Sequence, residues 1–309
     1  MADLSRVNPS TVNKIVGVGN YNPLDSSVSR NIRYNVQDTR EIIRKSSNKL
    51  PQNIKKFITF YNFKGGVGKT TLCYQVSTHL SLMGYNVLAV DVDPQGHLST
   101  SLGFNTDENF LTLYDIIVGK VPVEEVIKPI FTGLDAIPAN ISLSRLEPTI
   151  SVASALENVI TKALGTIKEK YDFVIFDTNP TISHLNRNIV LASNFLCIVV
   201  ETQAYALNGL KILLSDLEKF YTETSAMMPE LVLIPNKYEE RTASSGEAMA
   251  VLRDFYGKYV IPNFAVRKSE ELHNSGKIGT PLAFFCRSNS IALEDIKDVI
   301  WYLLDKFKE

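Results

Sequence analysis

The chain has 309 residues, 45% of them apolar and 21% charged, which is the composition of a folded globular chain and excludes disordered and collagen-like classes. No apolar run is long enough to span a bilayer, and the first residues (Met1-Ala2-Asp3-Leu4-Ser5) lack the apolar stretch of a signal peptide, so a cytoplasmic protein without a membrane partner is expected. Three isolated cysteines, Cys73, Cys197 and Cys286, fit small buried thiols and argue against a disulfide framework or a cysteine-held metal site.

The net charge of −1 is unevenly spread. Residues 1–56 hold ten Lys or Arg against four acids, and the rest of the chain holds 22 against 29. A basic head on an acidic body suits a polyanion partner or a solubilising segment. Turn signals at Asn8-Pro9, Asn22-Pro23 and Leu50-Pro51 divide this head. Two short helices are predicted in it, Ser10–Val16 with Ser10 as N-cap and Val36–Ser46 capped near Gln37-Asp38, with Ile42 and Ile43 facing inward.

Beyond Lys56 strands and helices alternate. Strands are predicted over Phe57–Phe63, Asn86–Val92, Leu134–Pro138, Tyr171–Asp177, Phe195–Glu201 and Glu230–Pro235. Helices are predicted over Lys69–Met83, Leu207–Tyr221, Gly246–Tyr256 and Ile291–Phe307. Near-continuous apolar strands in βα alternation mean an α/β fold, a mostly parallel sheet with helices on both faces and a small N-terminal helical extension. The expected division is an extension over 1–55 and a main domain over 56–309. Ligands of such sheets sit beyond the carboxyl ends of the strands, where Lys64–Thr71, Asp91, Asp93 and Asp177 all fall.

The segment Phe63-Lys64-Gly65-Gly66-Val67-Gly68-Lys69-Thr70-Thr71 joins a strand to a helix. Its glycines let several N–H groups converge on one polyphosphate at a helix start. Lys69 can reach the β- and γ-phosphates and the Thr70 hydroxyl can ligate Mg²⁺, so ATP and Mg²⁺ are the expected cofactors. Phe63 stands where the strict P-loop pattern has its first glycine. Asp91 and Asp93, two apart after a strand, share a face. One could hold Mg²⁺ through water while the other orients or deprotonates the attacking water. Asp177 ends the apolar strand Val174-Ile175-Phe176 and fits a Walker B carboxylate.

These stretches resemble the ParA/MinD superfamily with its deviant Walker A loop, K-G-G-x-G-K-T-T, and within it ParA-type partition ATPases. Asp91-Val92-Asp93-Pro94-Gln95-Gly96 is similar to their D-x-D-P-Q-G stretch. Ile137-Pro138-Ala139-Asn140 with Leu143 and Glu147, Glu201–Leu210, and Val266-Arg267-Lys268-Ser269-Glu270 resemble further family stretches in order, from about residue 56 to 305. The family continues D-x-P-P after the Walker B Asp, whereas this chain reads Asp177-Thr178-Asn179-Pro180.

The resemblance implies a P-loop ATPase that dimerises on binding ATP, with Lys64 reaching the partner's nucleotide. It implies that Asp93 governs hydrolysis and Asp91 supports Mg²⁺, making Lys64, Lys69 and Asp93 the catalytic set. Asn236 would contact adenine, and Arg267 with Lys268 would contact DNA without sequence preference. A centromere-binding ParB-type protein would be the partner and the nucleoid the place of action. A cargo-positioning ATPase of the same superfamily shares every motif. An ATP-switched operator-binding regulator would instead use the N-terminal segment, Arg30–Lys45, as part of a helix-turn-helix. The terminal helix is amphipathic but net acidic, which favours core packing over the basic membrane-docking helix of the MinD branch.

Overall fold

The computed structural model describes residues 4, 6–7, 9–19, 21, 23–24, 34–47, 50–152 and 158–308. Its seven strands are β1 (Lys56–Tyr61), β2 (Val87–Asp91), β3 (Lys128–Phe131), β4 (Leu134–Ile137), β5 (Phe173–Asp177), β6 (Phe195–Glu201) and β7 (Glu230–Asn236). They form one sheet in the order β3-β4-β2-β5-β1-β6-β7. All neighbours are parallel except the edge pair β3–β4.

The helices are α1 (Pro9–Val18), α2 (Val36–Ser46), α3 (Lys69–Leu82), α4 (His97–Ser101), α5 (Leu113–Ile117), α6 (Val123–Val126) and α7 (Leu146–Val152). They continue as α8 (Val159–Ala163), α9 (His184–Ala192), α10 (Ala204–Thr224), α11 (Ala243–Tyr256), α12 (Glu270–Ile278), α13 (Leu282–Phe285) and α14 (Ile291–Lys306). None of the described helices is long and apolar enough to cross a membrane.

Alternation along each strand sorts its side chains between two layers. Ile58, Phe60, Val87 and Ala89 join the core under α3 and α14. Leu88, Val90, Val174 and Phe176 join a second core under α5 to α9, and Leu196 and Ile198 a third under α10 and α11. Burial on both faces is why these strands read as near-continuous apolar runs. α14 contributes Ile296, Val299, Ile300, Trp301 and Leu303 to the first core. Its expected packing role therefore holds.

The N-terminal segment docks on the sheet domain. Leu4, Ile43, Leu50 and Ile54 enter the same core as α3, and the Trp301 indole N–H donates to Leu4 O at 3.2 Å. α1 begins at Pro9, one residue before the expected cap at Ser10, because the fixed φ of proline suits the first helical position. α2 spans its expected bounds, but its cap is Asn35, whose side chain accepts from Asp38 N–H at 2.7 Å. Arg40 donates to the carbonyls of Tyr85 (2.8 Å) and Ser81, and Arg44 to that of Gly84 (3.0 Å). These carbonyls close the C-terminal end of α3, where cations are favoured. Burial lowers the Arg40 pKa. Two basic residues of the expected helix-turn-helix thus hold the extension to α3, while residues 30–33 of that segment lie outside the described residues.

Candidate functional site

The order of the sheet puts β1 between β5 and β6, with β2 beyond β5. Register then aligns Asp91 with Asp177 across β2–β5, and Phe60 with Asp177 across β1–β5. The loop after β1 therefore opens directly above two strand-end carboxylates. It borders a cleft of about 850 Å³, lined among others by Gly66, Lys69, Thr70, Asp93, Thr178 and Asn179, within the size range of small-molecule sites.

The loop is fixed from below and from the side. Asn62 donates to Val199 O at 2.6 Å and accepts from Lys64 N–H at 2.9 Å. Asn236, at the end of β7, donates to Val67 O at 2.7 Å. Gly66 and Gly68 lie at φ +75° and +101°, and a Cβ on Gly68 would stand 2.2 Å from Asn236 Nδ2. Only glycine serves at that position.

The two lysines of the loop lie differently. Lys69 is 6% exposed and its amine lies 3.3 Å from Lys64 O, across the loop. Its pKa is lowered by burial, against the opposing pull of Asp177 and Asp93. The Lys64 side chain is 46% exposed at the outer lip and is ion-paired with Glu201. Glu201, nearly buried at the end of β6, also binds Lys237 at 2.8 Å, and Lys237 donates to Gly66 O at 2.6 Å. Burial alone would raise the Glu201 pKa, yet the two lysines bring it below its ordinary value. Glu201 and Lys237 were not expected as parts of the site. For Glu201 the signals were a charged residue closing the apolar run of β6 and its place at the head of the family-like stretch Glu201–Leu210.

Asp177 is fully buried, and neither carboxylate oxygen has a hydrogen-bond partner among the described residues. Its pKa is raised well above the ordinary carboxylate value by burial and then by Asp91. Thr70 and Lys69 offset this in part, the Thr70 hydroxyl lying close by without a well-formed bond. Orphaned carboxylate oxygens next to a hydroxyl and a phosphate loop suit a hydrated divalent cation, which would supply the missing donors.

Asp91 is held by the chain through both oxygens. Its Oδ1 accepts from Asp93 N–H at 3.0 Å, and its Oδ2 accepts from the Ser99 N–H and hydroxyl at 2.8 and 2.7 Å. Burial still raises its pKa to about 6. Through these three bonds Asp91 anchors the turn into α4. Asp93 lies in that turn, half-buried on the cleft wall, with Oδ1 accepting from Gln95 N–H at 2.9 Å. The Ser99 hydroxyl also accepts from Ala139 N–H at 2.8 Å, which ties the Ile137-Pro138-Ala139 stretch to the same turn. Glu147 accepts from the first N–H groups of α9, His184 and Leu185, at 2.7 and 3.0 Å.

Arg267 and Lys268 do not join this cleft. The Arg267 guanidinium grips buried Asp295 at 2.5 to 3.1 Å, with Glu294 at 3.5 Å and Glu240 at 3.8 Å. Asp295 raises its pKa first among these acids. Lys268 is paired with Glu239 at 2.9 Å. Both cations are thus paired within the chain, Arg267 as the centre of an ion network. Arg267→Ala would leave Asp295 buried without its cation. The expected cost is about 2 kcal/mol, read as a lowered thermal midpoint; an unchanged midpoint would mean the network adds no stability.

A family model described as an AAA domain matches residues 55–230. The chromosome-partitioning ATPase Soj of Treponema pallidum is 30% identical over 232 residues, covering 74% of this chain and 90% of its own. The cell division protein PomZ of Myxococcus xanthus is 29% identical over 248 residues, covering 80% and 77%. Among solved structures, an ATP complex of a Cyanothece McdA variant matches with a TM-score of 0.73 at 21% identity, over 81% of this chain and 96% of that one, a likeness of fold.

Proposed function

Because the chain belongs to the ParA-type partition ATPases of the ParA/MinD superfamily, we propose that it binds ATP with Mg²⁺ in the cleft above β1 and β5 and thereby closes a homodimer. The observation that carries this reading is the division of the loop's lysines, Lys69 buried over Asp177 and Lys64 half-exposed at the lip. One nucleotide is served by Lys69 in its own subunit. Lys64, restrained by Glu201 until a partner's phosphate competes for it, is placed to complete a second copy's site, as an arginine finger does.

Backbone N–H groups of Gly65–Thr71 would cradle the phosphates. The Thr70 hydroxyl, and Asp177 through water, would hold Mg²⁺, which neutralises charge between the β- and γ-phosphates. Asp93 would orient the attacking water. Asp91 would support Mg²⁺ and also fixes the Asp93 backbone by the bond from Asp93 N–H. Asn236 shapes the loop through Val67, and its amide is engaged there.

The cycle is one of association and release. The ATP dimer would bind DNA without sequence preference, and slow hydrolysis stimulated by a ParB-type partner would free it. The name of Soj, a chromosome-partitioning ATPase, supports partition as the broad role. Arg267 and Lys268 would be the DNA contacts, with phosphate competing against Glu239, Glu240 and Glu294 for them. The docking of α2 on α3 argues against an operator-reading N-terminal segment. The division into an extension over 1–55 and an ATPase domain over 56–309 is retained, with the extension as a brace for α3.

Binding to random-sequence DNA with ATP, with ADP and without nucleotide across a salt series tests the reading. Binding in ATP alone, weakening as salt rises, is expected. Equal binding in all three states would contradict it, and no DNA binding in any state would favour a cargo other than DNA.

A further inference from the structure

Asn179 stands where the family's D-x-P-P pattern has proline, and the loop around it determines which way its amide faces. Asn186, on α9, is fully buried. Its Nδ2 lies 2.7 Å from Thr181 O, 3.1 Å from Asn179 O and 2.7 Å from Asn179 Oδ1. Backbone carbonyls only accept, so the Asn186 atom between them is the NH₂ group. The Asn179 atom facing that group must then be its oxygen. The Thr181 hydroxyl, at 2.8 Å, donates to the same oxygen. The Asn179 NH₂ group is left on the opposite side of the amide, without a partner among the described residues.

The position is at the phosphate end of the cleft. Asn179 lines it together with Thr70, Asp93 and Pro180. The loop also lies beside the phosphate loop: a Cβ on Gly65 would stand 3.9 Å from Pro180 Cγ. We propose that Asn179 is an additional hydrogen-bond donor for the terminal phosphate of bound ATP, oriented by Asn186 and Thr181. This rests on the reading of the cleft as an ATPase site.

In hydrolysis the water oxygen bonds to the γ-phosphorus and the bridging P–O bond breaks. The electron pair leaves on ADP, and the water's protons pass to phosphate and solvent. Charge is carried by the γ-phosphate oxygens throughout, so a preoriented neutral donor aimed at them stabilises both bound ATP and the transition state. A proline at this position offers no side-chain donor.

Asn179→Asp separates this role from a structural one. The aspartate keeps an oxygen to receive Asn186 and Thr181, so the loop anchor survives, but the donor is exchanged for an acceptor. Affinities for Mg-ATP and Mg-ADP, by displacement of a fluorescent nucleotide, and turnover would be measured for wild type, Asn179→Asp and Asn179→Ala. Both variants are expected to weaken ATP binding about three- to tenfold while ADP binding is held, and to slow turnover roughly tenfold. Asn179→Asp should be at least as impaired as Asn179→Ala. A wild-type ratio of ATP to ADP affinity and wild-type turnover in Asn179→Asp would overturn the role of Asn179 alone. A wild-type protein that binds neither nucleotide would overturn the ATPase reading and this inference with it.

Discussion

Asp177→Asn should make the nucleotide-free protein more stable and the ATPase nearly inactive. The carboxylate is fully buried with both oxygens unpartnered, so the isosteric neutral amide removes a charge that the fold does not satisfy. A gain of about 1–2 kcal/mol is expected, read as a rise in thermal midpoint of roughly 2–4 °C. The sign of the pH dependence follows from the raised pKa. A carboxyl that holds its proton more tightly when folded loses stability as pH rises above its unfolded value of 3.8. The advantage of Asp177→Asn should therefore be small near pH 4 and grow as pH increases. Turnover with Mg²⁺ should fall about 10- to 100-fold, the usual effect of removing an outer-sphere metal partner. A variant destabilised at neutral pH, or one with full turnover, would contradict this account of Asp177.

Lys64→Ala is expected to leave nucleotide binding in place and abolish ATP-dependent dimerisation. Its own subunit keeps Lys69, Thr70 and the glycine-lined loop. The side chain is half-exposed, and Glu201 retains Lys237 as a counter-ion at 2.8 Å, so the fold should change by well under about 1 kcal/mol. Turnover should drop on the order of a hundredfold or more, by analogy with a finger supplied in trans. Mass in solution with and without ATP, measured beside the thermal midpoint, separates the effects. A monomer that binds ATP and melts normally is the expected result, whereas a normal ATP dimer would remove the trans role.

Most of the framework was legible because its signals are local. The strands β1, β2, β5, β6 and β7 are near-continuous apolar runs, and the loop from Lys64 to Thr71 carries its chemistry in consecutive residues. β3 escaped because Lys128-Pro129-Ile130-Phe131 is short and contains proline, which an antiparallel edge tolerates. The intramolecular partners of Asp91 and Arg267 escaped for a different reason. Asp91 is claimed by Ser99, a partner one helix start away. Arg267 is claimed by Glu240, Glu294 and Asp295 from two other segments. The link from Lys64 to Glu201 spans 137 positions. Motif resemblance locates such residues but does not reveal which groups already satisfy them, because charge pairing depends on three-dimensional neighbours. Asn179 shows the reverse case, in which a departure from the family pattern gained meaning only when Asn186 and Thr181 were seen around it.

The central claim is that each site is completed by a second copy of the chain. ATP turnover per subunit measured against protein concentration tests it most directly. Turnover that rises with concentration to a plateau, and stays near zero throughout for Lys64→Ala, is the predicted result. Turnover per subunit that is constant from nanomolar to micromolar protein would contradict it.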